Sequence, residues 1–349
     1  MKRRFLCLVM AAALACTTTA CGGSSKGPET TAAKASGTES AVGDAAAGDA
    51  TAEVKWPKNV EIIVPASAGG DTDFNARLLA QKLSEKLPAN FVVSNVNGNG
   101  GATGTRQVKD AEPDGSSAVF YHTAFLVNKA CGATDYGLDA YNFAAIAGQN
   151  VGNVVTVNSS LGINSLEELM EYTKSHPGEL KMAAQTGATS YAVAMQMKNA
   201  GFDVNIVDAG SAADRLAALL GGHVDVILAA YGSIKDYVKE GTLVPLAMDG
   251  EMDLVVADEG IDIKAIHNLG YEEIKLPFYY FIAFPKGTDD ALVSQFNNAL
   301  KDIIENDKEY QDQIYASYYQ APTFLPGEEG LAKYAEIDEL LKNVDFSAK

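Results

Sequence analysis

The size and charge of the chain limit what it can be. It has 349 residues, 45 acidic and 27 basic side chains, and a formal net charge of -18. This acidity excludes the basic surface of a nucleic-acid-binding protein, so no nucleic acid is expected as a partner. A hydrophobic content of 47% over this length is enough for two domains of ordinary size.

The first 21 residues have the pattern of a secretory signal. Three basic side chains at positions 2–4 precede an apolar stretch that is too short to span a bilayer. The sequence Thr-Thr-Ala-Cys that ends at Cys21 resembles the lipobox of bacterial lipoproteins, although Thr18 stands where that pattern prefers Leu. We predict a signal peptide over 1–21 and a lipid on Cys21 that anchors the protein to the cell membrane, outside the cytoplasm. Processing at Cys16 and cleavage without a lipid are the alternatives.

Residues 22–55 are mostly small or charged, with too few apolar side chains to form a core. We predict a flexible tether here and a globular body that begins near Trp56. No later segment is an apolar run of the roughly 18 residues that a membrane-spanning helix needs. Cys131 is the one cysteine after the signal, so we expect a packed thiol and no internal disulfide.

Strand and helix patterns alternate along the body. The first series has strands at 60–64, 91–96 and 118–121 and helices at 74–87 and 103–111. This alternation predicts an α/β fold with a mostly parallel sheet covered by helices. We predict domain 1 over 56–156, completed by 280–349, and domain 2 over 157–279. The later predicted elements are strands at 154–157, 180–184, 204–207, 224–229 and 277–284, a helix opened by a capping box at Ser165, and helices at 190–200, 212–220, 290–306 and 327–341.

The motifs of enzymes are largely missing from the sequence. The glycines of GNGGATG at 98–104 follow a predicted strand, but Thr103 stands where a dinucleotide fingerprint needs its third glycine. There is no G-x-S-x-G, no phosphate loop and no H-E-x-x-H, and the four histidines have no metal-ligand spacing. Neither a cofactor nor a metal is therefore expected.

Three loops of small residues lie between predicted strands and helices, at 65–73, 121–124 and 185–191. In an open parallel sheet such loops meet at the carboxyl ends of the strands, where ligands bind. The free N–H groups of the following helix starts can hold an anion. Helix capping by Ser, Thr and Asp is the simpler alternative. Two loops of the same design in the two units favour binding.

The body also resembles a known family, the extracytoplasmic solute receptors of tripartite tricarboxylate transporters, or Bug family, from about Trp56 to the end. The segments that carry the resemblance are VPASAGGDTD (64–73), ARLLAQKL (76–83), NVNGNGGATG (95–104), PDG (113–115), LLGGHVD (219–225) and FPKGT (284–288).

This resemblance implies a two-domain, type II periplasmic-binding-protein fold of the Venus-flytrap kind, without catalysis. It implies a small organic acid or amino acid as ligand, membrane permease subunits as partners, and a monomer. Carried over by motif, the candidate ligand-binding residues are Ala66, Ser67, Gly69, Gly70, Asp73, Thr123, Asn128, Thr186, Gly187, Ala188, Thr189 and Ser190.

Three departures from the family pattern predict a wider or differently polar pocket. Ala66 and Ala68 stand where the family has an aromatic residue and a second Pro. The segment VDAG at 207–210 replaces a Pro-Tyr-Lys-Gly-like segment, and Ala229 replaces a common Asp.

The charge of the pocket leaves the ligand class open. Neither 65–73 nor 185–191 contains Arg or Lys, so peptide N–H groups, hydroxyls and water are expected to hold a carboxylate. The net negative charge of the chain also leaves a neutral or zwitterionic ligand open, with Asp73 or Asp208 facing an amine. A receptor that signals to a membrane partner and a nucleotide-dependent oxidoreductase are the alternative functions.

Overall fold

Residues 54–348 are described by a computed structural model. The predicted signal peptide, the lipidation site at Cys21 and nearly all of the predicted tether lie outside these residues. Within the described part, no helix combines the length and the apolar character that crossing a bilayer requires.

The first sheet has six strands, in the order β13-β4-β12-β3-β1-β2. We call this sheet and the helices packed on it the first lobe. Its elements before the chain leaves are β1 (Asn59–Val64), α1 (Asp71–Lys86), β2 (Asn90–Asn95), α2 (Ala102–Lys109), β3 (Ser117–His122), α3 (Ala124–Ala130) and β4 (Tyr141–Asn150). Those after the chain returns are β12 (Phe278–Pro285), α8 (Asp290–Asn306), α9 (Lys308–Tyr318), β13 (Leu325–Pro326) and α10 (Gly327–Lys342).

The second sheet has five strands, in the order β7-β6-β8-β5-β9, and with its helices forms the second lobe. Its elements are β5 (Asn153–Asn158), α4 (Leu166–Ser175), β6 (Lys181–Ala184), α5 (Thr189–Asn199), β7 (Asn205–Asp208), α6 (Ala212–Leu220), β8 (Val226–Ala230), α7 (Tyr231–Lys239) and β9 (Leu243–Met248). A separate antiparallel pair, β10 (Leu254–Val256) and β11 (Ile261–Ile263), follows β9.

The prediction of a mostly parallel sheet was wrong, because both sheets are mixed. In the first lobe β1 pairs in parallel with β2 and β3, whereas β12 is antiparallel to both β3 and β4. In the second lobe β6 is parallel to β7 and β8, whereas β5 is antiparallel to β8 and β9. Each lobe thus combines a βαβ unit with strands that arrive from the other lobe, and arrival direction is not encoded in local sequence patterns.

Local signals located most elements well. The predicted helices at 212–220 and 290–306 match α6 and α8 residue for residue. Ser165 caps α4 by accepting from the N–H of Glu168, but the carboxylate of Glu168 accepts from Asn164 instead of closing a capping box. The elements that sequence reasoning missed are α3, β4, α7, β9, β10, β11, α9 and β13, most of them short or without a clear periodicity.

Strand β12 is the centre of the first lobe's core. All eight of its residues are buried, between β4 on one side and β3 on the other. The ring of Phe281 is fully buried and lies 5.4 Å from that of Tyr334, 5.7 Å from Phe125 and 5.9 Å from Phe143, measured between centroids. This aromatic cluster connects the sheet to α3 and α10.

Replacement of Phe281 by Ala should lower the free energy of unfolding by about 3–5 kcal/mol, because the cavity that remains is walled by rings that cannot collapse into it. Urea denaturation followed by circular dichroism measures the effect. Val255→Ala is the control, since Val255 is 59% exposed on β10 and its loss should cost under about 0.5 kcal/mol. Equal costs for the two variants would contradict this account of the core.

Candidate ligand-binding site

A cavity of about 440 Å³ lies between the two lobes. This volume falls in the usual range of small-molecule sites. The first lobe provides the loop from β1 to α1, and the second lobe provides the starts of α5, α6 and α7. The lining residues are Pro65, Ala66, Ser67, Ala68, Gly69, Gly70, Asp71, Thr72, Asn97, Gly100, Tyr121, His122, Asn153, Gln185, Ala188, Thr189, Ser190, Ser211, Ala212, Ala213, Arg215, Leu216, Ala229, Ala230, Ser233, Phe278 and Tyr318.

Three helices begin at this cavity without a side-chain cap. Their N-cap residues are Gly70 for α1, Ala188 for α5 and Ala230 for α7, and all three residues line the cavity. A fourth helix, α6, also begins there but is capped by Ser211. The first-turn N–H groups of a helix have no intrahelical acceptor, and they carry the positive end of the helix dipole. Uncapped helix starts that face one cavity therefore favour an anionic group.

Seven of the residues predicted from sequence line the cavity, and the others do not. Those that line it are Ala66, Ser67, Gly69, Gly70, Ala188, Thr189 and Ser190. Those outside the lining are Asp73, Thr123, Asn128, Thr186, Gly187 and Asp208. The loops at 65–73 and 185–191 thus meet at one cavity, while the part of each residue in binding stays a prediction.

The two carboxylates predicted to face an amine are engaged within the protein. Asp73 lies 2.9 Å from Nη2 of Arg77 and accepts a hydrogen bond from the N–H of Gly69. Burial alone would raise the pKa of Asp73, but these donors hold it below its usual value. Asp208 accepts from the N–H groups of Thr186 and Gly210, each at 3.2 Å.

The third predicted loop, at 121–124, is reduced to a single residue. β3 ends at His122 and α3 begins at Ala124, so only Thr123 connects them. Thr123 is fully buried; its Oγ1 donates to the carbonyl of Pro277 and accepts from the N–H of Tyr279. This hydroxyl joins α3 to the strand that returns from the second lobe.

Asn128 lies where the lobes touch. Its side-chain nitrogen is 2.7 Å from the carbonyl of Gly100 in the first lobe and 3.0 Å from that of Gly187 in the second. Gly100 has a φ of 63°, and a Cβ there would lie 2.8 Å from the carbonyl oxygen of Thr186. The glycine at position 100 of GNGGATG is thus explained by close packing between the lobes.

Asp71 is a cavity residue that sequence reasoning missed. Its Oδ2 accepts hydrogen bonds from the hydroxyl of Tyr280 and, at 3.0 Å, from the amide of Asn150. Burial raises the pKa of Asp71, although these donors oppose the shift. The spacing of Asp71 and Asp73 in the sequence did not reveal which of them faces the cavity.

Arg215 is the second charged residue that was missed. It is 7% exposed; Nη1 donates to the carbonyl of Gly210 at 2.8 Å and Nη2 to that of Leu228 at 3.5 Å. Its Nε has no acceptor among the described residues. Burial lowers the pKa of Arg215 to about 10, so it remains a cation at neutral pH. The two loops do lack Arg and Lys, but α6 brings a guanidinium to the cavity.

Besides Tyr121 and Tyr318, the aromatic part of the lining includes His122 and Phe278. Their rings are stacked at 4.4 Å between centroids, and Nδ1 of His122 accepts from the N–H of Ala124. Burial lowers the pKa of His122 to about 3, so the imidazole is neutral. This end of the cavity is therefore uncharged.

A buried carboxylate lies beside the cavity where the chain enters the second lobe. Asp249 is 2% exposed and accepts from the N–H of Asn153 at 2.5 Å and from its side chain at 3.2 Å. Burial raises the pKa of Asp249 to about 7. Asn153 lines the cavity, so the ionisation of Asp249 changes the charge next to a residue of the cavity wall.

The fold and site define a class, the two-lobed periplasmic binding protein of type II. MatC from Rhodopseudomonas palustris, solved with bound malate, superposes with a TM-score of 0.71 at 20% identity, over 82% of this chain and 98% of that one. An R. palustris protein solved with adipate also gives 0.71, at 21% identity over 82% and 95%. Both likenesses show the fold.

The sequence comparisons identify the family. The model of the family described as "Tripartite tricarboxylate transporter family receptor" matches residues 75–314. Protein BugT of Bordetella pertussis (strain Tohama I) is 25% identical over 258 residues, which are 71% of this chain and 76% of BugT. This chain belongs to the tripartite tricarboxylate transporter receptor family, as the resemblance predicted. It is therefore an extracytoplasmic solute-binding receptor and not an enzyme.

Asp249→Asn should flatten the dependence of stability on pH. Asp249 has a pKa of about 7 in the folded protein and a usual value of 3.8. At pH values between these two, its carboxylate is ionised in the unfolded chain and takes up a proton when the protein folds. Stability from this group is therefore greatest below about pH 4 and is lost as pH rises towards 7, at up to about 1.4 kcal/mol per pH unit.

Urea denaturation at several pH values between 4 and 8 measures this slope. Asp258→Asn is the matched control, because it makes the same substitution at an exposed position. An Asp249→Asn variant whose slope equals that of the wild type would show that the buried carboxylate is not the cause.

Proposed function

We propose that this receptor captures a small carboxylate between its two lobes and delivers it to membrane permease subunits. The observation that carries the proposal is the convergence of three uncapped helix starts, of α1, α5 and α7, on one cavity. One of these helices belongs to the first lobe and two belong to the second. A carboxylate in the cavity can therefore accept hydrogen bonds from both lobes at once.

The affinity then depends on closure of the lobes. An open receptor offers two half-sites, and a ligand that contacts both stabilises the closed state by its differential affinity. The bodies we propose to move are the two lobes, which correspond to the predicted domains, 56–156 with 280–349 and 157–279, except that β5 begins at Asn153 in the second lobe and β12 at Phe278 in the first. The crossing segments near Asn153 and Pro277 provide the places where the backbone changes direction.

The same proposal includes the location of the receptor at the membrane. A lipid on Cys21 and a tether over 22–55 would hold a monomeric receptor near the permease, on the outer side of the membrane. The net charge of -18 gives no long-range attraction for anions. Capture therefore relies on the helix dipoles and on Arg215 at short range.

A thermal-shift panel of dicarboxylates, tricarboxylates, aromatic acids and amino acids should reveal at least one ligand. Relatives have been solved with malate and with adipate, so both belong in the panel. A ligand at about 100 times its Kd should stabilise the protein by about 2.7 kcal/mol, because it binds only the folded state. A panel in which no compound raises the Tm would refute the proposal.

Ala66→Trp should weaken binding of the ligand found in that panel at least tenfold, because Ala66 lines the cavity and an indole would occupy part of it. Isothermal titration calorimetry gives the Kd. The matched control is Ala332→Trp, on an exposed position of α10 that is not part of the lining. An unchanged Kd for Ala66→Trp would place the ligand elsewhere.

A further inference from the structure

Two residues of opposite charge face the same cavity from different lobes. Asp71 begins α1 in the first lobe, and Arg215 belongs to α6 in the second. Among the described residues that line the cavity, these two are the only Asp, Glu, Lys or Arg, and His122 is neutral. The carboxylates of Asp208 and Asp214, and to a smaller extent that of Asp71, favour the protonated guanidinium of Arg215. The cavity therefore has an acidic group on the first lobe and a basic group on the second.

Some N–H groups of the Arg215 guanidinium are not used in hydrogen bonds within the described residues. A guanidinium has five N–H groups, and the two hydrogen bonds to backbone carbonyls use only part of them. Within residues 54–348 it forms no ion pair, and its Nε lacks an acceptor. A cation that is nine-tenths buried and unpaired is costly, and a bidentate carboxylate is the partner that its geometry fits best.

Asp71 has no positively charged partner among the described residues. Its side-chain donors, the hydroxyl of Tyr280 and the amide of Asn150, are both neutral and both reach Oδ2. No Lys or Arg among the described residues forms a salt bridge with it, whereas the neighbouring Asp73 is paired with Arg77. Burial raises the pKa of Asp71, and a ligand ammonium would supply a positive partner that favours its ionised form.

We propose that the ligand is a zwitterion of the amino-acid class, whose carboxylate binds Arg215 and the starts of α5 and α7 in the second lobe and whose ammonium group binds Asp71 in the first. This inference rests on the proposed function and names its ligand. Discrimination follows from repulsion as well as attraction. A dicarboxylate would bring a second negative charge to Asp71, and an amine without a carboxylate would leave Arg215 unpaired.

The net charge of the receptor agrees with such a ligand. A chain with a formal charge of -18 repels polyanions at long range but does not repel a zwitterion, which has no net charge. The rest of the ligand would lie against the uncharged wall formed by His122, Phe278 and Tyr318.

The test compares ligands that differ by one charged group, using calorimetry on the purified protein. The common amino acids are screened first. The best of them is then compared with its desamino acid and its decarboxylated amine, for example phenylalanine with 3-phenylpropanoate and phenethylamine. The amino acid should bind at least tenfold tighter than either. A desamino acid that binds as tightly as the amino acid would overturn the zwitterion inference and leave the receptor function intact, whereas no binding by any acid or amino acid would overturn both.

Two variants assign the charges. Asp71→Asn should weaken the amino acid at least tenfold while leaving the desamino acid unchanged or tighter. Arg215→Gln should weaken both, and Arg215→Lys should recover part of the loss. Asp258→Asn and Arg106→Gln, at positions outside the lining, are the matched controls. If Asp71→Asn weakened both ligands equally, Asp71 would not act through the ammonium group and the inference would be wrong.

Discussion

Strand β12 is the constraint on which the rest of the molecule depends. It lies between β3 and β4, yet the chain reaches it only after building the whole second lobe. The first sheet is therefore completed by a segment more than a hundred residues away from its earlier strands, which makes its contacts non-local. The returning strand connects the lobes again, beside the crossing from β4 to β5. A cavity between the lobes is the consequence of these crossings.

The same strand also sets the chemistry at the floor of the cavity. β12 places Phe278 against His122 and brings the hydroxyl of Tyr280 to Asp71. Asn150, at the end of β4, donates to the same carboxylate. Asp71 thus accepts hydrogen bonds from β12, where the chain re-enters the first lobe, and from the end of β4, where the chain leaves it. A ligand that contacts Asp71 would act directly on the connection between the lobes.

Some helix starts that lack a side-chain cap lie at the cavity. Four helices are capped by side chains, those of Ser165, Ser211, Asp289 and Asp307. A cap contributes about 1 kcal/mol, so a missing cap is a local cost. Six helices of the described residues lack such a cap, and three of them, α1, α5 and α7, begin at the cavity, where a ligand can replace the cap. Natural proteins break local rules of stability mainly at such sites.

Sequence reasoning predicted much of this protein but not the direction of its strands or the charges of its site. The alternation of elements, the capping residues and the two loops at 65–73 and 185–191 depend on neighbours in the chain, and the structure brings both loops to one cavity. Asp71 and Asp73 are two residues apart on a helix, about 200° around its axis, so only the packing of α1 decides which faces the cavity. Arg215 is one of two neighbouring charged residues in α6, with Asp214, and it is a site residue only because α6 packs beside β8. Local order was thus determined by the sequence itself, whereas the mixed sheets and the opposed charges were decided by contacts between distant residues, which no local pattern records.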